Sequence, residues 1–293
     1  MNTSETTTRP AAASGTFAIG GDLPVHRMGF GAMRVTGAGI WGEPVDHDGA
    51  IAVLRTAVDL GVTIIDTADS YGPEVSERLI AEALYPYPSD LVIATKAGLV
   101  RPGPSRWEPD GRPEHLRAAC EGSLRRLRLQ RIDLLQLHRI DPKVPLEEQI
   151  GTLIELQREG KVRHVGLSNV SVDQIEAVRR MTAIVSVQNL YNLADRDSED
   201  VLEYCTRENI GFIPWFPLAT GDLAEPGGAL ADVAQRLAAL PAQVALAWLL
   251  AKSTVMLPIP GTSQVQHLKE NLEAARLTLT PADMEELART PQG

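Results

Sequence analysis

The segment IDTADSYG, residues 65–72, sets Asp66 and Tyr71 five positions apart just after an apolar run, and two later apolar runs close on Lys96 (LVIATK) and His138 (IDLLQLH). A tyrosine hydroxyl has an unperturbed pKa of about 10, too high for efficient proton exchange near neutrality unless a cation stands beside it. Lys96 can be that cation, and a carboxylate at Asp66 would keep the lysine charged and oriented. Tyr71 then reads as a general acid. His138 reads as a donor that holds a substrate oxygen where negative charge develops. Each residue also has a plain structural reading: Asp66 as a turn cap, Tyr71 closing a loop beside Gly72, His138 as a satisfied core histidine. Lys96 resists it most, because a lysine ending LVIAT must point into an opening or pair inside one.

Such a set converges only if the elements carrying it share one end of the molecule. From residue 28 onward, short β-branched runs alternate with longer amphipathic segments. The order is MGFG, helix 47–60, VTIID, helix 74–85, LVIATK, helix 113–128, IDLLQLH, helix 146–159, VRHVGLS, helix 172–181, IVSVQ, helix 198–208, GFIPWF, helices within 228–252, and VMLPIP. Apolar strand centres imply burial on both faces of a parallel sheet. Eight such units predict a closed (β/α)8 barrel, whose functional face is built from strand C-termini and the loops that follow them. A doubly wound sheet would need G-x-G-x-x-G after its first strand, and GFGAMR (29–34) lacks the third glycine. Ahead of the barrel, GTFAIGGDLPVHRM predicts a β-hairpin turning at Gly20-Gly21 and closing the barrel floor. The expected organisation is a disordered leader over 1–15, polar and Ala-rich without an apolar core, followed by one catalytic domain over 16–293.

Composition narrows the partners. A net charge of -10 and no basic stripe argue against nucleic acid, RRLRLQR (125–131) reading as a solvated helix end. No window approaches 18 uninterrupted apolar residues, so no membrane-spanning helix is expected. Cys120 and Cys205 lack CxxC spacing, which suggests neither a zinc site nor a disulfide scaffold and fits a reducing, cytoplasmic setting.

IDTADSYG, VIATKAG, IDLLQLHR, VGLSNVS, SVQNLYN and IPGTSQVQHLKEN together resemble the aldo-keto reductases from about residue 25 to 275. The resemblance implies a barrel that binds NADP(H), with NAD(H) as an alternative, in extended form. It also implies a catalytic tetrad of Asp66, Tyr71, Lys96 and His138 needing no metal. For the cofactor it implies Gly31, Ala32, Met33 and Asp66 at the first two strand ends, then Ser168, Asn169 and Gln188, whose hydroxyl and amides suit a carboxamide. Trp215 stands where relatives often have tyrosine, for stacking on the nicotinamide. Phe216, Pro217, Leu218, Gly221 and Leu223 correspond to the loop around the pyrophosphate, without the basic GK continuation common in relatives. Gly261, Thr262, Ser263, His267, Glu270 and Asn271 correspond to the adenosine-phosphate site at a helix start. Gly261 and His267 replace the Lys and Arg of many NADPH-preferring relatives.

Trp41 and Trp107, in the loops after the first and third strands, join Tyr71 and His138 as expected substrate contacts. The GIWGEP loop, YPYPSDLVIATK and HRIDPKVP are similar to the bacterial pyridoxal reductase branch, so the expected reaction is carbonyl reduction, with pyridoxal as the specific candidate. Two alternatives stand beside it: a nucleotide-sensing, non-catalytic module resembling potassium-channel β subunits, and a Schiff-base lyase using Lys96. Oligomeric state is not legible in the sequence.

Overall fold

The computed structural model describes residues 9–218 and 228–290. Strands β1 (Thr16–Ile19) and β2 (Leu23–His26) form an antiparallel hairpin, followed by β3 (Phe30–Gly31), α1 (His47–Asp59), β4 (Ile64–Asp66), α2 (Val75–Leu84) and β5 (Val92–Ala97). A second antiparallel hairpin, β6 (Leu99–Gly103) with β7 (Arg106–Pro109), precedes α3 (Pro113–Arg126), β8 (Ile132–Leu137), α4 (Leu146–Arg158), β9 (Val162–Ser168) and α5 (Val172–Arg179). The chain continues through β10 (Ser186–Leu190), α6 (Glu199–Glu208), β11 (Gly211–Trp215), α7 (Ala229–Arg236), α8 (Pro241–Lys252), α9 (Val265–Glu273) and α10 (Pro281–Ala288).

Seven strands pair in parallel in the order β3-β4-β5-β8-β9-β10-β11. Residues 255–258 reach both edges of this sheet. Val255 O accepts from Phe212 N and Leu257 N donates to Phe212 O on one side, while Pro258 O accepts from Gly29 N on the other. The order and these closing bonds are consistent with a (β/α)8 barrel. All six residues of β5 are buried, as a strand covered on both faces requires. Local sequence sets the helix starts: Pro113, Pro241 and Pro281 lie at first-turn positions where a missing N–H costs nothing, and Ser171 with Gln174 forms a capping box on α5.

The hairpin turn runs through Gly20 and Gly21 at φ +63° and +83°, the left-handed region glycine tolerates. Beside it, Asp22 pairs with Arg163 at 2.8 Å and His164 at 2.6 Å in the first half of β9. Three sequence expectations need correction. The expectation of disorder fails at Pro10–Ser14, which form a 3-10 turn with Ala11 fully buried and its N–H donated to Leu60 O, while residues 1–8 lie outside the described residues. The stretch after β5 is a hairpin rather than a plain loop. Arg126, in the basic run, is not solvated: it bonds the buried Glu77 at 2.6 Å and Glu74 at 2.9 Å.

Candidate active site

Asp66 ends β4, Lys96 lies one residue before the end of β5, and His138 follows β8, so three neighbouring strands deliver them to one end of the sheet. Lys96 Nζ reaches Asp66 Oδ2 at 2.5 Å, Thr67 O at 2.9 Å and Tyr71 Oη at 3.2 Å. The ammonium thus spends its three protons on an acid, a carbonyl and the phenol. Asp66 Oδ1 accepts from Gln188 Nε2 at 2.8 Å and Gln136 Nε2 at 3.1 Å. Both ions are buried, a costly arrangement that persists only when the remaining hydrogen-bonding capacity is filled, as it is here. Gly72, at φ +105°, turns the loop back under Tyr71; a Cβ there would sit 2.4 Å from Val75 Cβ, so the position admits only glycine.

Burial acts differently on each ionisable group. It would pull the Lys96 ammonium down, but attraction to Asp66 and Tyr71 outweighs it, and the lysine is held above its usual range. Tyr71 moves opposite to the sequence expectation: its burial raises the phenol above 10, and Lys96 offsets this only in part. His138 is driven well below its ordinary 6.5 by burial and then by repulsion from Lys96 and Arg139, so it is neutral at pH 7. Its Nδ1 lies 3.3 Å from Ser70 Oγ. The rings of Tyr71, His138 and Trp107 meet edge to face with centroids 5.9 to 6.2 Å apart.

Asn169, at φ +56°, ties three strand ends together: Nδ2 donates to His138 O at 3.1 Å and Ser168 Oγ at 2.9 Å, and Oδ1 accepts from Trp215 Nε1 at 3.2 Å. Both its polar atoms are therefore engaged by protein. Ser168 pairs in register with Gln188 across β9 and β10, which puts the two side chains on one face. The Ser168 hydroxyl proton is donated to no described residue and Gln188 Oε1 accepts from none. One donor and one acceptor side by side fit the carboxamide of a nicotinamide. Trp215, half-buried and anchored through its indole N–H, stands next to Phe216, whose φ is +59°. Pro217 is buried and Leu218 half-buried; Gly221 and Leu223 lie outside the described residues.

At the far side, backbone meets backbone. A Cβ at Gly31 would sit 2.6 Å from Ile259 O, and one at Gly261 would sit 2.5 Å from Gly31 O. Ala32 and Met33 begin the 3-10 turn after β3. Thr262 Oγ1 accepts from Gln264 N, Ser263 and His267 are exposed, Glu270 accepts from Gln266, and Asn271 is buried. Three residues escaped the sequence reading. Gln136 looks like strand interior until Asp66 is placed beside it, Ser70 is masked by the more telling Tyr71, and Arg101 sits in a segment that reads as loop. Arg101 Cζ lies over the Trp107 ring, 3.7 Å from its centroid, and over the Trp41 ring at 5.6 Å.

The chain is 43% identical over 274 residues to the pyridoxine 4-dehydrogenase of Escherichia coli, covering 92% of this chain and 95% of that protein. It is 55% identical over 270 residues to an uncharacterized oxidoreductase of Schizosaccharomyces pombe, covering 92% and 88%. Among solved structures, an aldo-keto reductase from Klebsiella pneumoniae in complex with NADPH superimposes with a TM-score of 0.80 at 26% identity, over 95% of each chain. Residues 27–290 match the family described as the aldo/keto reductase family. With that match over nearly the whole chain, this protein belongs to the aldo/keto reductase family.

Proposed function

We propose that this chain reduces aldehydes and ketones to alcohols with NADP(H), NAD(H) serving as an alternative carrier, and that Tyr71 is the general acid. The observation that carries the reading is the 3.2 Å contact of Tyr71 Oη with an ammonium that Asp66 holds at 2.5 Å. When bound, the nicotinamide supplies hydride to the carbonyl carbon. The chain does the rest. Tyr71 holds a proton through neutral pH, since its pKa is raised, and releases it to the carbonyl oxygen as charge builds there. The phenolate left behind faces Lys96, whose charge it needs at that moment and not before. Neutral His138, with Nδ1 toward Ser70, presents Nε2–H to the same oxygen.

Ser168 and Gln188 would hold the carboxamide, Trp215 would stack on the ring, and the glycine contact between residues 31 and 261 would bring backbone close to the cofactor. Thr262, Ser263 and His267 would meet the 2′-phosphate, and Glu270 and Asn271 the adenine. Pyridoxal, reduced to pyridoxine, is the substrate we favour, supported by the 43% identical pyridoxine 4-dehydrogenase and by the aromatic surroundings of Tyr71. In the same reading the barrel has eight strands with the first hairpin as its floor, residues 16–293 form one domain, and the protein works in the cytoplasm, where Cys120 and Cys205 stay reduced.

Changing Tyr71 to Phe removes the donated proton and leaves the ring. Turnover of pyridoxal with NADPH should fall at least about a thousandfold while NADPH affinity stays within about threefold, the pattern expected when an interaction used only in the transition state is lost. Retained turnover would end the assignment of Tyr71, and nucleotide binding without multiple turnovers in the wild type would favour the sensing module instead.

A further inference from the structure

Arg101 is 9% exposed, and no carboxylate lies within ion-pair distance of it among the described residues. Its charge is met instead by main-chain oxygens from three segments. Nε donates to Arg106 O at 2.9 Å, Nη1 to Ile40 O at 2.9 Å and Ser70 O at 3.1 Å, and Nη2 to Gly39 O at 3.1 Å. The guanidinium carbon Cζ lies over the Trp107 ring, 3.7 Å from its centroid, and over the Trp41 ring at 5.6 Å. Ser70, whose carbonyl it binds, is also the residue whose hydroxyl faces His138 Nδ1.

Resting on the reductase reading above, we propose that Arg101 is the specificity-determining positioning residue of this site. It clamps Trp41 and Trp107 into one aromatic wall beside Tyr71 and His138, and thereby selects flat aromatic carbonyl compounds over aliphatic aldehydes. Only an arginine suits the task. Its planar fork spans three backbone segments at fixed angles while its face stacks on an indole, whereas a lysine offers a point charge that cannot do both. Fixing the two tryptophans before substrate arrives removes the ordering cost that binding would otherwise meet, so the gain falls on substrates that fill the space beside the rings. A small aliphatic aldehyde does not touch that wall and draws little from it.

The test compares the wild type with Arg101→Leu and Arg101→Lys, using 4-nitrobenzaldehyde and propanal as substrates with saturating NADPH. In both variants the ratio of kcat/KM for the aromatic over the aliphatic aldehyde should fall about tenfold, mostly through KM for the aromatic one, with lysine no better than leucine. Tryptophan emission should shift red and acrylamide quenching rise in both variants as the wall loosens. An unchanged ratio, or a loss that is equal for the two aldehydes, would overturn the role, as would full rescue by lysine. If the wild type turns over neither aldehyde nor pyridoxal, the reductase reading itself fails, and the substrate selection fails with it. A variant that folds poorly in circular dichroism is replaced by Arg101→Gln, judged by the same ratio and emission readouts.

Discussion

Removing the Lys96 ammonium should reveal how strongly the buried pair is coupled. In Lys96→Met, the Asp66 carboxylate stays buried, keeping Gln136 and Gln188 as donors but losing its ionic partner among the described residues. Breaking one side of a buried pair costs about 3–5 kcal/mol, because the charge that remains is uncompensated. Asp66→Asn should cost about as much, since it strips the buried ammonium of its counter-charge and leaves it neutral acceptors, Thr67 O and the phenol among them. In the double variant neither charge is stranded, so its cost should be no greater than either single one. The pair is then coupled by about 3 kcal/mol or more.

Urea unfolding of the four proteins at pH 7 measures this directly. The choice of pH is safe: Lys96 has its pKa raised on folding, so the stability it contributes is fully present below its unfolded value of 10.5 and is lost only as pH rises through the folded one. Single costs that add within about 0.5 kcal/mol would refute the coupling, and a Lys96→Met cost under about 1 kcal/mol would show that Asp66 is not held as an ion by this lysine.

The reductive kcat/KM with NADPH should stay level through neutrality and decline only on an alkaline limb above pH 10, because the Tyr71 proton is held more tightly than in a free phenol; a limb centred near 6.5 would show that His138 titrates in the working range, against its lowered pKa. Asp69, buried with Oδ1 unpartnered among the described residues and pushed up to about 8 by burial and Glu77, binds its proton more tightly when folded, so its contribution is complete below 3.8 and is lost as pH rises through about 8. Asp69→Asn should therefore gain on the wild type by about 1.4 kcal/mol per pH unit across that window, reaching about 4 kcal/mol at pH 7, and a difference that does not vary with pH would refute this.

The sequence was most legible where chemistry interrupts a pattern. Lys96 at the end of LVIAT, and Asp66 after an apolar run, stand out because strand interiors admit neither, and the spacing of the runs placed the helices nearly where they lie. What could not be read depends on three-dimensional surroundings. Gln136 is an ordinary polar residue until its strand is set in register opposite Lys96. VRPGPSRW carries two prolines, a glycine and a serine, so it reads as loop, yet β6 and β7 pair across it and bring Arg101 beneath Trp107. The direction of the Tyr71 shift was missed for the same reason: the cation was visible in the sequence, but the degree of burial that outweighs it was not. Ala11 shows the converse, an apolar contact hidden in a composition that suggests disorder.

Position and charge are inseparable in this site because the loop and the lysine fix one another. Thr67 N donates to Ala94 O and Asp69 N to Lys96 O, so the backbone of β5 holds the loop that ends in Tyr71. The Lys96 side chain then returns to that loop at Thr67 O and at the phenol itself. In the proposed reaction, preorganisation of this kind lets a fully buried ammonium act on a proton transfer without reorienting solvent or side chains. It also explains why Asp66 needs both glutamines. A carboxylate free to rotate would let the ammonium follow it, and the 3.2 Å contact with Tyr71, on which the proposed proton delivery depends, would open first.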